Sequence, residues 1–129
     1  MGLGIAISLA DVCDPATSVI LIHDMQAGIV PQVQGGDRIV SRCRRLLEHS
    51  RASGFRVFYT RHVTLPSKSG RKGRSYRAMI WQRKSNATET APAFLPGSPA
   101  AQIVPEPGST ESDVVIEKIA MSALEREPV

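Results

Sequence analysis

The sequence predicts an α/β fold: a Rossmann-like parallel sheet in a three-layer α/β/α arrangement, of which the first half, about three strands, is present. An unbroken apolar run at 19–22, rich in β-branched residues, is typical of a strand covered on both faces. A segment with helical spacing of apolar residues follows it. A second predicted strand, rich in aromatic and β-branched residues, comes next at 55–60. A third strand is predicted over the apolar residues 114–116, in a segment 113–118 that ends in a lysine, as the first strand ends near an aspartate. Polar residues at the carboxyl ends of strands are how open α/β sheets build sites.

The helix between the first two strands is predicted to begin after Gly35-Gly36, with Asp37 as its N-cap. Apolar residues then recur at helical spacing, and charged residues occupy the other side. The apolar positions are Ile39, Val40, Cys43, Leu46 and Leu47. Gly54 suits the C′ position that ends a helix. Residues 18–60 therefore form a βαβ unit, whose crossover we expect to be right-handed.

The connection over 62–112 is long and mostly irregular, and connections of this length usually carry function. A short helix is predicted over 76–83. Ser98-Pro99 predicts an N-cap and first residue of a helical turn through 104. Three strands with one full helix would leave apolar surface and an unpaired strand edge. We therefore expect one incomplete domain over residues 1–129.

Length and composition favour a single soluble globular domain. The chain has 129 residues, of which 42% are hydrophobic and 22% charged. No apolar run approaches the roughly 20 residues of a membrane helix, so no membrane association is expected. Cys13 and Cys43 give neither a disulfide framework nor a zinc-binding spacing. A reducing, cytoplasmic compartment is therefore expected.

The net charge of +4 is unevenly placed, because one segment is strongly basic and has no acidic residue among its charges. Its members are Lys68, Arg71, Lys72, Arg74, Arg77, Arg83 and Lys84. A solvated surface is the ordinary interpretation, and recognition of an anionic substrate or partner is the alternative. Nucleic-acid binding is not expected, since the segment lacks the aromatic interleaving of single-strand binders.

Asp24 and Lys118 are the leading candidates for chemistry. Taken singly, each has a plain structural interpretation, a turn-capping carboxylate and an exposed charge at a strand end. If their two strands neighbour each other in a parallel sheet, both side chains reach the same edge and lie close together. The carboxylate could then take a proton while the ammonium holds an anion in place.

Two stretches resemble the isochorismatase-like cysteine hydrolases. The first strand leads into Asp-Met-Gln at 24–26, which is similar to the end of that family's first strand. The run that closes on Lys118 is followed by Ser-Ala-Leu at 122–124, where the family usually has Ser-Ala-Phe. The helix and second strand between them also fit, so the resemblance covers about residues 17–124.

The resemblance implies an Asp-Lys-Cys mechanism, with Asp24 as general base for a thiol and Lys118 stabilising the thiolate and the anionic intermediate. The family's cysteine lies on a later helix, and no residue here matches it. Cys43 falls on the apolar face of the predicted helix, and Cys13 precedes the first strand. The expected function is a hydrolase of a small amide or related C–N compound whose cysteine-bearing half is absent from the chain.

The alternative is a non-catalytic remnant or binding module of the same fold. A small-molecule substrate is the expected ligand, without a cofactor. The expected protein partner is a second copy of the chain or a complementary C-terminal half.

Gln26, His62 and Trp81 are the candidates for substrate binding. For Gln26 a loop-ordering role and a simple turn hydrogen bond are alternatives, and for His62 and Trp81 the alternative is ordinary packing. The nicotinamidase branch binds a metal through Asp-x-His and a second histidine after strand two. Here the residues at 61–66 include His62 but no acidic residue and no second histidine, so no metal is expected.

Overall fold

The computed structural model describes residues 5–65, 78–106 and 108–124, and within them three parallel strands form one sheet. The strands are β1 Val19–His23, β2 Arg56–His62 and β3 Val114–Lys118, in the order β1-β2-β3. Helices α1 Leu9–Val12 and α2 Gly36–Ala52 lie in the same described part of the chain. Both strand pairs are parallel, so the predicted α/β fold is confirmed.

The core lies between α2 and one face of the sheet. In the parallel register Ile20 stands opposite Val57, and Ile22 stands opposite Tyr59. Because side chains alternate along a strand, these four point to the same face. Leu47 of α2 packs on them and is 1% exposed, while Tyr59 is fully buried. The βαβ unit thus supplies the buried hydrophobic cluster of the core.

Glycines shape both ends of α2. Gly35, at φ +75°, is the N-cap, and the helix begins at Gly36. The prediction of Asp37 as N-cap is wrong. Asp37 lies in the first turn of the helix, where its negative charge interacts favourably with the helix dipole. At the other end Gly54 takes φ +82°, and its N–H donates to Arg51 O at 3.0 Å. Phe55 N donates to Ser50 O at 2.9 Å, which completes a Schellman motif, so the predicted C′ glycine is confirmed.

Local elements outside the βαβ unit depart from prediction in detail. The short helix α1, whose N-terminus is stabilised by a capping box between Ser8 and Asp11, was not predicted from the sequence. Residues 78–82 are helical, within the predicted short helix, whose first two residues lie outside the described part. The predicted cap Ser98 does begin a turn, but this is a single 3₁₀ turn over Pro99–Ala101. Most of the basic segment, 68–77, also lies outside the described residues.

The second face of the sheet is open among the described residues. Val19 and Leu21 of β1 and Val114 and Ile116 of β3 are between 44% and 47% exposed, although they are apolar strand residues. The expectation of a first strand covered on both faces is therefore not met, whereas the expected uncovered apolar surface is present. Within the described ranges β1 and β3 each pair on one side only, so both present an edge.

A partly buried ion pair ties the end of the long connection to α2. The Arg51 guanidinium donates to the Asp113 carboxylate, which also accepts from Thr110 N at 2.8 Å. Burial tends to raise the pKa of Asp113, but the hydrogen bonds from Thr110 and Arg51 outweigh it and hold the pKa below the ordinary value. Tyr59 Oη donates to Gly108 O at 3.1 Å, which adds a second tie. These contacts hold the residues just before β3 against α2 and β2.

Asp113→Asn is expected to destabilise the fold by about 2 kcal/mol, because the Arg51 guanidinium loses a charged acceptor. The lowered pKa fixes the pH dependence. The stabilisation from Asp113 is complete above the unfolded carboxyl pKa of about 3.9 and is lost as pH falls through the lower folded value. Urea unfolding at neutral and acidic pH measures this. Glu106→Gln is the control, since Glu106 pairs with Arg44 at the surface and should change stability little. Equal unfolding midpoints for the two variants would contradict the expected role.

Candidate active site

Asp24 follows β1 in a strained backbone conformation. Its φ is +54°, in the left-handed region, which few residues other than glycine adopt and which is frequent at functional sites. Its N–H donates to Thr60 O at 3.1 Å, so it continues the pairing of β1 with β2 by one residue. The Thr60 hydroxyl lies 3.5 Å from Asp24 Oδ1. The turn thus places the carboxylate at the carboxyl end of β2.

Lys118, the last residue of β3, is 8% exposed and makes three contacts through its ammonium. Nζ lies 2.7 Å from Asp24 Oδ2 and donates to Ala120 O at 3.1 Å and to Met121 O at 2.9 Å. All three N–H donors therefore have partners, as a buried ammonium requires. The chain that follows β3 wraps around the charge and fixes its position.

The expected proximity of the two side chains at one edge of the sheet is present, although their strands are not neighbours. β2 lies between β1 and β3, so the two backbones are separated by two strand spacings, about 10 Å. The Asp24 carboxylate turns toward β2, and the four-carbon stem of Lys118 crosses the rest of the gap. The ion pair therefore spans the carboxyl end of the central strand.

His23 and Thr60 complete the surroundings of the carboxylate, and sequence reasoning missed both. His23 Nε2 lies 3.3 Å from Asp24 Oδ2, and its Nδ1 lies 2.9 Å from Thr60 Oγ1. His23 stands opposite Thr60 in the parallel register. Only the register could have revealed them, because the two residues are far apart in the chain.

Gln26 is fully buried and holds three segments together. Its Nε2 donates to His62 O at 2.9 Å and to Ala101 O at 3.0 Å, and its Oε1 accepts from His62 N at 2.7 Å. It also forms an antiparallel bridge with Ile103. These contacts support the loop-ordering alternative for Gln26, since its amide is occupied by the main chain of two other segments.

A cavity of about 580 Å³ lies beside the ion pair and includes Asp24, His62 and Trp81 in its wall. This volume falls within the range of small-molecule sites. Trp81 belongs to the helical residues 78–82, and its ring stacks on Phe94 with centroids 5.2 Å apart and planes 13° apart. The structure thus brings two of the three predicted substrate-binding residues to the same cavity as Asp24.

The two cysteines lie elsewhere. Cys13 is exposed at the C-cap of α1, and Cys43 is partly buried in α2, which packs on the Tyr59 face of the sheet. Within residues 5–65, 78–106 and 108–124 there is no cluster of three or more His, Cys, Asp or Glu side chains placed to hold a metal ion. No helix in the described part of the chain is both long and apolar enough to cross a bilayer.

Comparison with solved structures finds similar folds of about twice the length. The cysteine hydrolase from Pseudomonas syringae pv. phaseolicola matches with a TM-score of 0.64 at 21% identity, over 81% of this chain and 47% of that chain. The N-carbamoylsarcosine amidase from Thermoplasma acidophilum matches with a TM-score of 0.58 at 20% identity, over 82% and 54%. An isochorismatase from Pseudomonas putida matches with a TM-score of 0.51 at 25% identity, over 81% and 43%. The chain therefore spans about half the length of these structures.

Comparison with curated protein sequences finds no match. The sequence model of the Isochorismatase domain matches residues 18–129, which is most of the chain. The match includes both strand ends that form the ion pair. The chain belongs to the isochorismatase family.

Proposed function

We propose that this chain carries the acid–base part of a cysteine hydrolase active site that acts on a small amide or related C–N compound. One observation carries the proposal: the Asp24–Lys118 ion pair lies at the carboxyl edge of the sheet, in contact with a cavity of ligand size. Family membership supports a hydrolytic reaction. The residues in the cavity wall support Trp81 and His62 as substrate contacts.

Asp24 is proposed to take the thiol proton on Oδ1. Its Oδ2 already accepts from Lys118 at 2.7 Å, whereas Oδ1 has only the long 3.5 Å contact to Thr60. A free thiol with a pKa of about 8.5 is mostly protonated at neutral pH, so a base beside it raises the reactive fraction. The thiolate would attack the amide carbonyl carbon, and the proton would pass to the departing amine.

Lys118 is proposed to act through its charge. Its three donors contact Asp24 and two backbone carbonyls, so direct donation to a substrate would require one of these bonds to break. A fixed ammonium still stabilises a nearby thiolate and a developing oxyanion, because Lys118 is 8% exposed and its charge is only weakly screened by water. The family's use of lysine in this position supports the same role.

The nucleophilic cysteine is proposed to come from the complementary half of the domain. The solved structures that match this chain extend over about twice its length, and Cys13 and Cys43 lie away from the Asp24 cavity. The half is proposed to join through the open sheet face and the β1 edge. In the Rossmann-like strand order 3-2-1-4-5-6, the outer edge of β1 pairs with the fourth strand. A thiol mechanism would suit a reducing compartment such as the cytoplasm.

The alternative is a binding module that keeps the cavity and performs no reaction. The positions of the two cysteines favour it for the chain on its own. The two functions can be distinguished by adding a cysteine-bearing half. The hydrolase would then turn over substrate, whereas the binding module would bind a ligand without turnover.

The test joins residues 1–124 of this chain to the second half of the Pseudomonas syringae cysteine hydrolase. We expect the hybrid to release ammonia or amine from simple amides. Asp24→Asn should lower kcat by about 100-fold or more, as expected for loss of a general base. Glu48→Gln on the exposed side of α2 is the matched control and should leave kcat unchanged.

A monomeric hybrid that unfolds in one cooperative transition and shows no turnover would reject the hydrolase proposal in favour of the binding module. Turnover that survives Asp24→Asn would reject the assigned base. Light scattering of the purified hybrid establishes the assembly.

A further inference from the structure

We propose that His23 is a positioning residue that keeps one oxygen of the Asp24 carboxylate, Oδ1, free to accept a proton. His23 does so by holding the proton of the Thr60 hydroxyl away from that oxygen. The proposal rests on the hydrolase function proposed above, because it names the residues that decide where Asp24 takes the thiol proton. It is carried by the distances that join the His23 ring to Asp24 and to Thr60.

Both ring nitrogens of His23 have a partner, and the two partners differ in chemistry. Nε2 lies 3.3 Å from Asp24 Oδ2, and Nδ1 lies 2.9 Å from Thr60 Oγ1. An ionised carboxylate oxygen can only accept a hydrogen bond, so Nε2 has to carry the ring proton. A neutral imidazole has one donor and one acceptor, so Nδ1 is then the acceptor. The Thr60 hydroxyl therefore donates to His23 Nδ1.

The Thr60 hydroxyl has a single proton and two neighbouring acceptors. Its Oγ1 lies 2.9 Å from His23 Nδ1 and 3.5 Å from Asp24 Oδ1. The first distance is ordinary for a hydrogen bond, whereas the second is at the outer limit. With its proton directed to His23, Thr60 gives Asp24 Oδ1 no hydrogen bond.

The two carboxylate oxygens of Asp24 therefore differ in basicity. Oδ2 accepts from Lys118 Nζ at 2.7 Å and from His23 Nε2 at 3.3 Å. Hydrogen bonds to a charged carboxylate stabilise it against protonation. Because both of these donors lie on Oδ2, the proton from a thiol is taken up at Oδ1.

Loss of the His23 ring would let the Thr60 hydroxyl turn toward Asp24. Thr60 is 2% exposed, so water does not replace the lost acceptor. Asp24 Oδ1 lies 3.5 Å away, and a small rotation of the threonine side chain shortens this contact to a hydrogen bond. A hydroxyl bonded to the charged oxygen should weaken the base by about tenfold or more.

The tautomer of His23 is measured on the chain itself, without catalysis. Nitrogen-15 NMR distinguishes protonated from unprotonated ring nitrogens at about pH 8, where imidazoles are ordinarily neutral. We expect the His23 proton on Nε2, and a shift of its Nδ1 signal in Thr60→Val, which removes the donated hydrogen bond. His49 is the internal comparison, because its Nδ1 lies 2.7 Å from the Arg45 carbonyl oxygen, which only accepts. A His23 proton on Nδ1, as expected for His49, would overturn the inference.

Kinetics of the hybrid enzyme test the consequence for the base. His23→Phe should lower kcat by about tenfold or more with KM unchanged, because the base is weakened and the cavity wall is not altered. The double variant His23→Phe/Thr60→Val should recover most of that loss, since no hydroxyl is left to occupy Asp24 Oδ1. Thr60→Val alone should keep a kcat close to that of the wild type.

Recovery by the second substitution separates a positioning role from a structural one. If His23 only supported the fold, loss of the Thr60 hydroxyl would add to the damage of His23→Phe and not relieve it. His49→Phe, the same change at an exposed position of α2, is the matched control and should leave kcat unaltered. Wild-type kcat in His23→Phe, or a double variant no faster than His23→Phe, would contradict the inference.

The two proposals fail separately. A hybrid without turnover removes the hydrolase proposal, while the position of the His23 proton still decides whether Thr60 donates to His23 or to Asp24. Turnover that depends on Asp24 but is unaffected by His23→Phe removes the positioning role and leaves the hydrolase proposal standing.

Discussion

Breaking the Asp24–Lys118 pair is expected to cost the fold about 3–5 kcal/mol, because the loss of one partner leaves a charge buried without its counter-charge. In Asp24→Asn the ammonium of Lys118, whose side chain is 7% exposed, loses its counter-charge while remaining out of water. In Lys118→Met the remaining carboxylate is 18% exposed and keeps some hydration. We therefore expect Asp24→Asn to be the more destabilising of the two.

Chemical unfolding of both single variants and of the double variant measures this pair. The double variant should lose less than the sum of the single losses, because no uncompensated charge remains in it. Arg61→Gln is the matched control. Arg61 pairs with Glu117 across β2 and β3, but both side chains are more exposed, so its loss should cost under about 1 kcal/mol. Single variants of Asp24 and Lys118 that cost no more than this control would show that the pair is solvated rather than buried.

The isolated chain is expected to associate through the open face of its sheet. Val19, Leu21, Val114 and Ile116 present apolar side chains that the described residues leave about half exposed. Covering roughly 300 Å² of apolar surface is worth about 7 kcal/mol at 25 cal/mol per Å². That gain is comparable with the ~5–15 kcal/mol that holds a domain folded. Burial of this surface therefore strongly favours self-association of the isolated chain. The unpaired β1 edge adds backbone donors and acceptors to the same surface.

Size-exclusion chromatography with light scattering tests this association. Leu21→Glu should shift the chain toward monomer, because it places a charge in the middle of the open face. Leu46→Glu is the control: Leu46 is 50% exposed but lies on α2, so the same change in charge should leave the association state unaltered. A wild-type chain that runs as a monomer with one sharp thermal transition would show that three strands suffice. The second half of the family fold would then be unnecessary for stability.

Much of the local structure was predictable because it depends on near neighbours in the chain. The β-branched run of β1, the apolar periodicity of α2 and the glycine at position 54 each act within a few residues. The first residue of α2 was misplaced, because a left-handed Gly35 and a following Gly36 can begin a helix as well as an aspartate can. The short 3₁₀ turn after Ser98 was predicted too long, since a cap fixes where a turn begins and not where it ends.

For the candidate site, too, some features were predictable from the sequence and others were not. The sequence by itself determined that a carboxylate and an ammonium follow apolar strands, and the family resemblance joined them into one pair. Only the tertiary structure decided that β2 lies between them, that His23 and Thr60 surround the carboxylate, and that Gln26 serves the main chain of two other segments. The physical reason is that strand order, register and side-chain partners depend on contacts between residues far apart in the chain, which local patterns do not specify.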